Sequence, residues 1–287
     1  MKPVPRVLIG ITTRNRAGIL PKALASALAQ THPAILVAVL DDGSTDETPS
    51  LRTSFPSVRW SRHEVPQGII ESRNELMRST DADYYVSLDD DAWFIRNDEL
   101  SLAVALLEAQ PPVAAVAFDI LSPDRSEAVD RGPSRPVGMF IGCGHIARMA
   151  AVRSIGYYAT SPGTYGSEEK DLALRLADMG LKIHLMPGVH VWHAKAWGDR
   201  DHFAVHRSGV CNELVMTLRR CPLPDLLLVL PLKLLSFMVF WLRQPRFLAA
   251  GLAGAGFALR HLPSSLCSRA PVRRSTFWAF VRSRSTR

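Results

Sequence analysis

The sequence predicts an α/β protein whose mostly parallel central sheet is flanked by helices. Over the first 120 residues, short apolar runs rich in β-branched residues alternate with segments whose apolar residues recur at helical spacing. Strands and helices that alternate in this way form right-handed βαβ units around a parallel sheet. The chain has 287 residues and is 47% apolar, which suits one large or two small domains and excludes a mainly disordered chain.

Each predicted element follows from a local pattern of apolar residues and of helix or turn signals. Strands are predicted at Val7–Thr12, Ile35–Leu40, Val58–Trp60, Tyr84–Leu88 and Val113–Phe118, of which Val58–Trp60 has the weakest pattern. Helices are predicted at about residues 20–28, 68–78 and 100–109, and over Ser167–Met179 with Ser167 as its cap. The stretch 122–136 and the stretch around Pro187-Gly188 are predicted to be loops.

The composition changes after Pro222. Ten of the 34 Lys and Arg residues lie from Leu226 to Arg287, where no Asp or Glu occurs, so the rest of the chain is slightly acidic. A body of that charge does not suit nucleic-acid binding. The apolar stretches 223–242 and 247–259 are interrupted or short for a membrane span. We predict that residues 222–287 form a helical, apolar and basic segment that associates with an anionic membrane surface, the alternative being a packed helical subdomain.

Cysteine usage and the N-terminal residues indicate a reducing compartment. The 4 cysteines are scattered and include no Cys-x-x-Cys pair, which excludes a disulfide scaffold and a zinc knuckle. The apolar run Val7–Ile11 is shorter than the apolar core of a signal peptide. We therefore expect a cytoplasmic protein, held peripherally or monotopically at the inner face of the cell membrane.

Consecutive carboxylates, Asp89, Asp90 and Asp91, follow a predicted buried strand. Adjacent carboxylates repel one another, and a divalent cation relieves that repulsion. Alternation along the strand points Asp89 and Asp91 to the same side, where few protein oxygens leave room for water and phosphate, as in Mg²⁺ or Mn²⁺ sites. An acidic loop that caps the next helix is the alternative.

Polar residues at other predicted element ends also suit chemistry. Asp41 and Asp42 end a strand, and a carboxylate there can accept an N–H group of a nucleobase. Glu168 and Glu169 fall in the first turn of a predicted helix. Either the helix dipole stabilises their charged form there, or one of them provides a general base. One of the histidines between positions 184 and 206 can bind a metal or a phosphate.

Short motifs follow one another in order between Arg6 and His193. They are Thr12-Thr13-Arg14-Asn15, Asp41-Asp42-Gly43-Ser44-Thr45-Asp46, Gly68 with Ser72-Arg73-Asn74, Leu88-Asp89-Asp90-Asp91, Gly142-Cys143-Gly144, and Glu168-Glu169 followed by Asp171-Leu172. Each motif is weak alone, but their order and spacing together are specific. In this combination the chain resembles family 2 glycosyltransferases, which have the GT-A fold.

The resemblance assigns residues to a donor nucleotide and to a metal. The residues that it places around the nucleobase, the ribose and the rest of the nucleotide are Thr12, Arg14, Asp41, Asp42, Arg73 and Asp90. The residues that it assigns to a divalent cation, Mn²⁺ or Mg²⁺, on the donor diphosphate are Asp89, Asp91 and His193.

The resemblance also implies a catalytic base. Glu169 stands where the family has a catalytic Asp, and Glu168 is the second candidate. This Glu-Glu pair departs from the family's Glu-Asp, which leaves the choice between the two open. Cys143 replaces a residue that is usually small in the family, and the sequence assigns it no role.

The implied function is inverting transfer of a hexosyl or deoxyhexosyl group from a UDP-, dTDP- or GDP-linked donor to an acceptor hydroxyl. The basic, apolar tail suggests a lipid-linked or cell-surface glycan precursor as acceptor, in polysaccharide synthesis for the cell envelope. The predicted domains are 1–221, divided into a nucleotide-binding half (1–120) and an acceptor-binding half (121–221), and the tail at 222–287. The alternatives are a sugar-phosphate nucleotidyltransferase and a catalytically decayed, membrane-associated binding module.

Overall fold

The computed structural model describes residues 3–127, 132–195 and 201–285. Within these ranges the chain forms two compact units. The first comprises the described residues up to Tyr157 together with those from Gly180 to Lys195, and the second comprises those from Tyr158 to Met179 and from Asp201 onwards. The functional boundaries after residues 120 and 221 stay predictions.

A mixed sheet forms the centre of the first unit. Its strands are β1 (Val7–Thr13), β2 (Ile35–Asp41), β3 (Arg59–Arg62), β4 (Tyr84–Asp89), β5 (Ala92–Phe94), β6 (Val113–Leu121), β7 (Arg135–Val137), β8 (Gly144–Arg148) and β9 (Lys182–His193). They are ordered β3-β2-β1-β4-β8-β6-β9-β5, with β7 paired to β9. The first four in this order are parallel, as are β6 and β9, whereas β8 is antiparallel to both neighbours and β5 and β7 are antiparallel to β9. The α/β prediction is confirmed, with more antiparallel pairing than the sequence pattern indicates.

Helices of the first unit pack on this sheet through apolar faces. They are α1 (Leu20–Leu28), α2 (Leu51–Ser54), α3 (Ile69–Arg78), α4 (Glu99–Ala109) and α5 (Met149–Ser154). In α1, Leu20, Leu24 and Ala27 recur at helical spacing and are all buried. They belong to the same apolar core as Ile9 of β1 and Val39 of β2. The core therefore fixes the strands whose carboxyl ends carry the polar motifs.

The predicted loop around Pro187-Gly188 is wrong, because both residues lie inside β9. Val189 and Val191 are buried on the sheet, so the chain continues as a strand beyond the proline. The irregularity is a shift in the register with β6, which Gly188 accommodates with a φ of 91°. His193 therefore ends a strand and does not lie in a loop.

Helices build the second unit within the described residues. They are α6 (Glu168–Asp178), α7 (His202–Arg220), α8 (Leu226–Arg243), α9 (Leu248–Arg260), α10 (Leu262–Cys267) and α11 (Arg274–Ser285). Leu214, Trp241 and Ala258 share an apolar core. By length and composition, α8 is long and apolar enough to cross a membrane. Many of its side chains face solvent, with Leu227 and Leu242 exposed to 74% and 80%.

Candidate functional site

The carboxyl ends of β1, β2 and β4 bring predicted site residues of the first unit together. Thr12 pairs with Asp89 on one side of β1, and Thr13 pairs with Asp41 on the other. Asp42 continues beyond β2 and donates its backbone N–H to the carbonyl oxygen of Thr13 at 2.8 Å. Ligands of parallel sheets bind beyond such strand ends. This edge is therefore the candidate site.

Asn15 locks the loop after β1 to the loop after β2. Its backbone N–H donates to Ser44 Oγ at 2.9 Å, and its side-chain Oδ1 accepts the backbone N–H of Thr45 at 2.7 Å. Asp41 Oδ1 accepts the backbone N–H of Ser44 at 2.8 Å across a turn in which Gly43 has a φ of 74°. The sequence alone assigns no role to Asn15, since only its partners in the second loop reveal that it joins the two motifs.

Asp42 is held by donors from the segment that leads into α3. Its oxygens accept the backbone N–H groups of Gln67 at 2.7 Å and Gly68 at 2.8 Å, and His63 Nδ1 lies 2.8 Å from Oδ1. His63 Nε2 lies 2.8 Å from Glu75 Oε2. Burial opposes ionisation of Asp42, but these hydrogen bonds outweigh it and lower its pKa. The Asp42 side chain is therefore ionised and held in one position. His63, which no sequence motif indicates, is one of the residues that hold it.

The arginines assigned to the nucleotide lie in different environments. Arg14 is exposed on the loop after β1. Arg73, on α3, is only 2% exposed, and its Nη2 donates to Asp89 Oδ1 at 2.7 Å. A charge-assisted bond of this kind is strong and directional. Arg73 therefore orients Asp89 and brings a positive charge to the carboxylate cluster.

The Asp90-Asp91 turn joins β4 to β5 and concentrates negative charge. Burial raises the pKa of Asp90 to about 7, and the neighbouring charges of Asp89 and Asp91 add to that rise. Arg16 Nε lies 3.9 Å from Asp90 Oδ1 and opposes it. Asp91 is 1% exposed, and its Oδ1 lies 3.2 Å from His193 Nε2. A divalent cation stabilises buried carboxylates arranged in this way.

Donor atoms beside this turn suit a metal ion. Ligand atoms of Asp89, Cys143 and His193 lie within 4.8 Å of one another. The buried Nε2 of His193 makes no hydrogen bond within the part of the chain that the structure describes. Carboxylate oxygen suits Mn²⁺ or Mg²⁺, whereas the imidazole nitrogen and the thiol are softer donors that transition metals accept more readily than Mg²⁺ does. The residues present therefore fit a divalent cation, with Cys143 as a neighbour that the sequence did not assign.

The candidate bases belong to the second unit. Glu168 and Glu169 begin α6. Glu168 is 5% exposed, and Glu169 is partly exposed. Ser167 does not cap the helix as predicted, because its side chain accepts no backbone N–H group of α6 and its φ is 72°. The catalytic role of the two glutamates stays a prediction.

The sequence match to known families falls on the first unit. The family model "Glycosyl transferase family 2" matches residues 8–146. The resemblance to family 2 glycosyltransferases is confirmed over these residues. The match covers the Thr12, Asp41, Arg73 and Asp89 motifs. No curated protein sequence matches the chain.

Solved glycosyltransferase structures share the fold. TarS 1-349 of S. aureus superposes with a TM-score of 0.57 at 16% identity, over 74% of this chain and 65% of that one. The mannosyltransferase PcManGT from Pyrobaculum calidifontis, in complex with GDP-Man and Mn²⁺, gives 0.60 at 18% identity, over 99% and 81%. GalNAc-T7, with UDP, GalNAc and Mn²⁺, gives 0.62 at 13% identity, over 77% and 49%.

These likenesses establish the GT-A fold. The chain spans less than two thirds of the length of TarS 1-349 and about half of that of GalNAc-T7. At these identities the fold is shared, and the substrates of those proteins remain their own. Together, the family 2 match and the fold support a role in glycosyl transfer.

Proposed function

We propose that the protein is an inverting glycosyltransferase that moves a sugar from a nucleoside diphosphate donor to an acceptor hydroxyl. The observation that carries the proposal is the Asp89–Asp91 turn at the carboxyl edge of β1, β2 and β4, in which Asp91 is buried and lies beside His193. A cluster of this charge suits a cation that itself binds phosphate oxygens. The binding of Mn²⁺ and nucleotides by PcManGT and GalNAc-T7 supports the same reading.

The donor nucleotide would lie across the loops that follow β1 and β2. Thr12 and Arg14 lie at one side, and Asp41 and Asp42 at the other, so that a fixed carboxylate is available to accept an N–H group of the base. UDP, dTDP and GDP all carry such a group. Arg73, which contacts Asp89, contributes positive charge near the diphosphate.

A divalent cation, Mn²⁺ or Mg²⁺, would be held by Asp89, Asp91 and His193, while Asp90, between the two aspartates in sequence, would contact the nucleotide. When bound, such a cation offsets the negative charge that grows on the diphosphate leaving group. The protein's own contribution is to hold these side chains in place before the donor arrives. Arg73 orients Asp89, and the strand pairing of β5 with β9 places His193 beside Asp91.

The acceptor hydroxyl must lose a proton as it attacks the anomeric carbon. We assign the base to Glu169, with Glu168 as the alternative, because they occupy the positions of the family's Glu-Asp motif. Attack from the face opposite the diphosphate inverts the anomeric centre, and no covalent enzyme intermediate is needed. The sugar is expected to be a hexose or a deoxyhexose.

The acceptor is expected to be a lipid-linked or cell-surface glycan precursor, made at the cytoplasmic face of the membrane. The support is the composition of α8 and of the chain beyond it, which is apolar, basic and free of acidic residues. Basic side chains near an anionic leaflet each contribute about 1 kcal/mol to binding. Polysaccharide synthesis for the cell envelope would place the acceptor at that surface.

Turnover by purified protein tests the proposal. Wild-type protein with Mn²⁺ is expected to release UDP, dTDP or GDP from one of the corresponding nucleotide sugars, slowly with water and faster with acceptor. Glu169→Gln is expected to lower kcat by roughly a hundredfold while donor affinity is unchanged, because the amide cannot accept the proton. Glu168→Gln is the matched variant, and a larger loss there would move the base to that residue.

Other products would identify the alternatives. Formation of a nucleotide sugar from a sugar phosphate and a nucleoside triphosphate would indicate a nucleotidyltransferase. Binding of the nucleotide sugar without any turnover, in the presence of membranes and Mn²⁺, would indicate a decayed binding module. Either result would contradict the proposed function.

A further inference from the structure

Side chains of α7 form hydrogen bonds with residues 163–170. This segment leads into α6 and carries Glu168 and Glu169. Asn212 of α7 accepts the backbone N–H of Gly163 at 2.8 Å and donates to the carbonyl oxygens of Gly163 and Tyr165 at 3.0 and 3.2 Å. A Cβ atom at Gly163 would lie 2.7 Å from Asn212 Oδ1, so the backbone at Gly163 packs directly against the Asn212 side chain. The approach to the glutamates is therefore fixed by a side chain of another helix.

Glu213, the next residue of α7, contacts the residues that flank the glutamates. Its Oε2 accepts hydrogen bonds from Ser167 Oγ at 2.8 Å and from Lys170 Nζ at 2.6 Å. Ser167 holds a left-handed φ of 72°, which is costly for a residue with a Cβ atom. The Glu213 carboxylate thus binds Ser167 and Lys170, the residues on either side of Glu168 and Glu169.

Glu213 has a second lysine partner, from α8. Lys233 Nζ donates to Glu213 Oε1 at 2.5 Å. Burial alone would raise the pKa of Glu213, but the charges of Lys170 and Lys233 outweigh it and lower the pKa to about 2. The two lysines therefore favour the charged form of Glu213.

Lys233 stands in the middle of an otherwise apolar helix. Between Leu226 and Leu242 it is the one charged residue, and the exposed leucines of α8 surround it in sequence. The ion pair between Lys233 and Glu213 holds α8 against α7, because an unpaired lysine would be costly in a lipid environment. Glu213 consequently joins two features of the second unit, the glutamate turn and the apolar helix.

We propose that Glu213 is a positioning residue for the transfer reaction, holding the turn that carries Glu168 and Glu169, and that Lys233 links this turn to the seating of α8 on a membrane. The inference rests on the proposed function, since it assumes that one of the two glutamates is the base. Lipid contact that holds α8 in place also restrains Lys233, and through Glu213 it restrains residues 167–170.

Glu213→Gln tests the positioning role, because it keeps the shape of the side chain and removes the charge. We expect kcat to fall about tenfold to a hundredfold while the donor KM stays within about twofold, because a displaced base slows chemistry without touching the donor. Amide hydrogen exchange over residues 163–170 is expected to accelerate. A folded variant with wild-type kcat would overturn the role.

Lys233→Met tests the link to the membrane, and it stands on its own if Glu213→Gln does not fold. Wild-type kcat is expected to rise roughly fivefold on anionic vesicles, and Lys233→Met is expected to bind the same vesicles without that rise. Asp225→Asn is the matched control, because it breaks the ion pair of α8 with Arg274, 2.7 Å from Nε to Oδ2, and does not touch the glutamate turn. An equal response of Lys233→Met and wild type would overturn the link.

The two failures can be told apart. If wild-type protein turns over no nucleotide sugar, the proposed function fails, while hydrogen exchange still reports whether Glu213 orders residues 163–170. If wild-type protein is active and Glu213→Gln is equally active, this inference fails and the proposed function stands.

Discussion

Cys143 has surroundings that its sequence motif does not indicate. It lies in a Gly-Cys-Gly segment, yet it is 1% exposed and has a ligand atom within 4.8 Å of those of Asp89 and His193. A thiolate is a soft donor, whereas Mn²⁺ and Mg²⁺ prefer oxygen. We therefore expect Cys143 to tune which cations the site accepts, without being required for Mn²⁺.

The expected signature of Cys143 is spectroscopic. Cd²⁺ added to wild-type protein is expected to give a thiolate-to-metal charge-transfer band in the ultraviolet that is lost in Cys143→Ser and retained in Cys267→Ser, whose residue is exposed. Donor binding with Mn²⁺ is expected to change less than about threefold in Cys143→Ser. A band that persists in Cys143→Ser would place the bound Cd²⁺ on other residues.

His63 makes stability depend on pH. Burial opposes its protonation, but hydrogen bonds and charges of Asp42 and Glu75 outweigh it and raise its pKa above 6.5. Protonated His63 therefore stabilises the fold, fully below pH 6.5 and progressively less as the pH rises through the raised value. Urea denaturation is expected to show a free energy of unfolding that falls as the pH rises above 6.5, and to show a smaller fall in His63→Gln.

A control at another histidine separates this effect from general titration. His202→Gln alters an exposed residue at the start of α7 and is expected to keep the wild-type pH dependence. Equal pH dependence in His63→Gln and wild type would show that the Asp42–His63–Glu75 contacts do not carry the effect.

At the scale of elements, the sequence predicted best where one pattern dominates. The strands β1, β2 and β4 are wholly or largely buried, so their apolar runs are unambiguous, and the carboxylates that follow them fall at the expected edge. β9 was missed because Pro187-Gly188 signals a turn locally, whereas burial of Val189 and Val191 keeps the chain in the sheet. β8 joins antiparallel to β4 and β6, a pairing that no local periodicity encodes.

Some residues of the candidate site could not be predicted from the sequence, because their side-chain partners lie far away along the chain. Asn15, His63 and Cys143 acquire their roles from residues that lie 12 or more positions away, as with Asn15 and Ser44 or His63 and Asp42. Arg73 was assigned to the nucleotide, and the structure adds that it contacts Asp89 directly. Glu213 lies outside every motif of the family 2 resemblance, so only its contacts reveal it.

Helix α8 carries the prediction that concerns the membrane. Leu227→Ser and Leu242→Ser each remove an exposed apolar side chain, and each is expected to weaken binding to anionic vesicles by roughly tenfold. Val65→Ser, at an exposed position of the first unit, is the control and is expected to bind like wild type. Co-sedimentation with vesicles measures the difference. Wild-type protein that stays in the supernatant would contradict the membrane-associating role of α8.

At the scale of the whole molecule, the chain divides its chemistry between units. The first unit holds the nucleotide and metal candidates on a GT-A sheet, and family 2 matches residues 8–146 within it. The second unit holds the candidate bases together with the apolar helices, with Glu213 connecting them.

The most direct test is calorimetric titration of UDP-, dTDP- and GDP-sugars into the protein with and without Mn²⁺. One of these donors is expected to bind wild-type protein in a Mn²⁺-dependent manner, and Asp91→Asn is expected to weaken that binding at least about tenfold. Asp81→Asn, which removes an exposed partner of Arg6, is expected to bind like wild type. Binding of no donor with Mn²⁺, or equal binding by Asp91→Asn and wild type, would contradict the account.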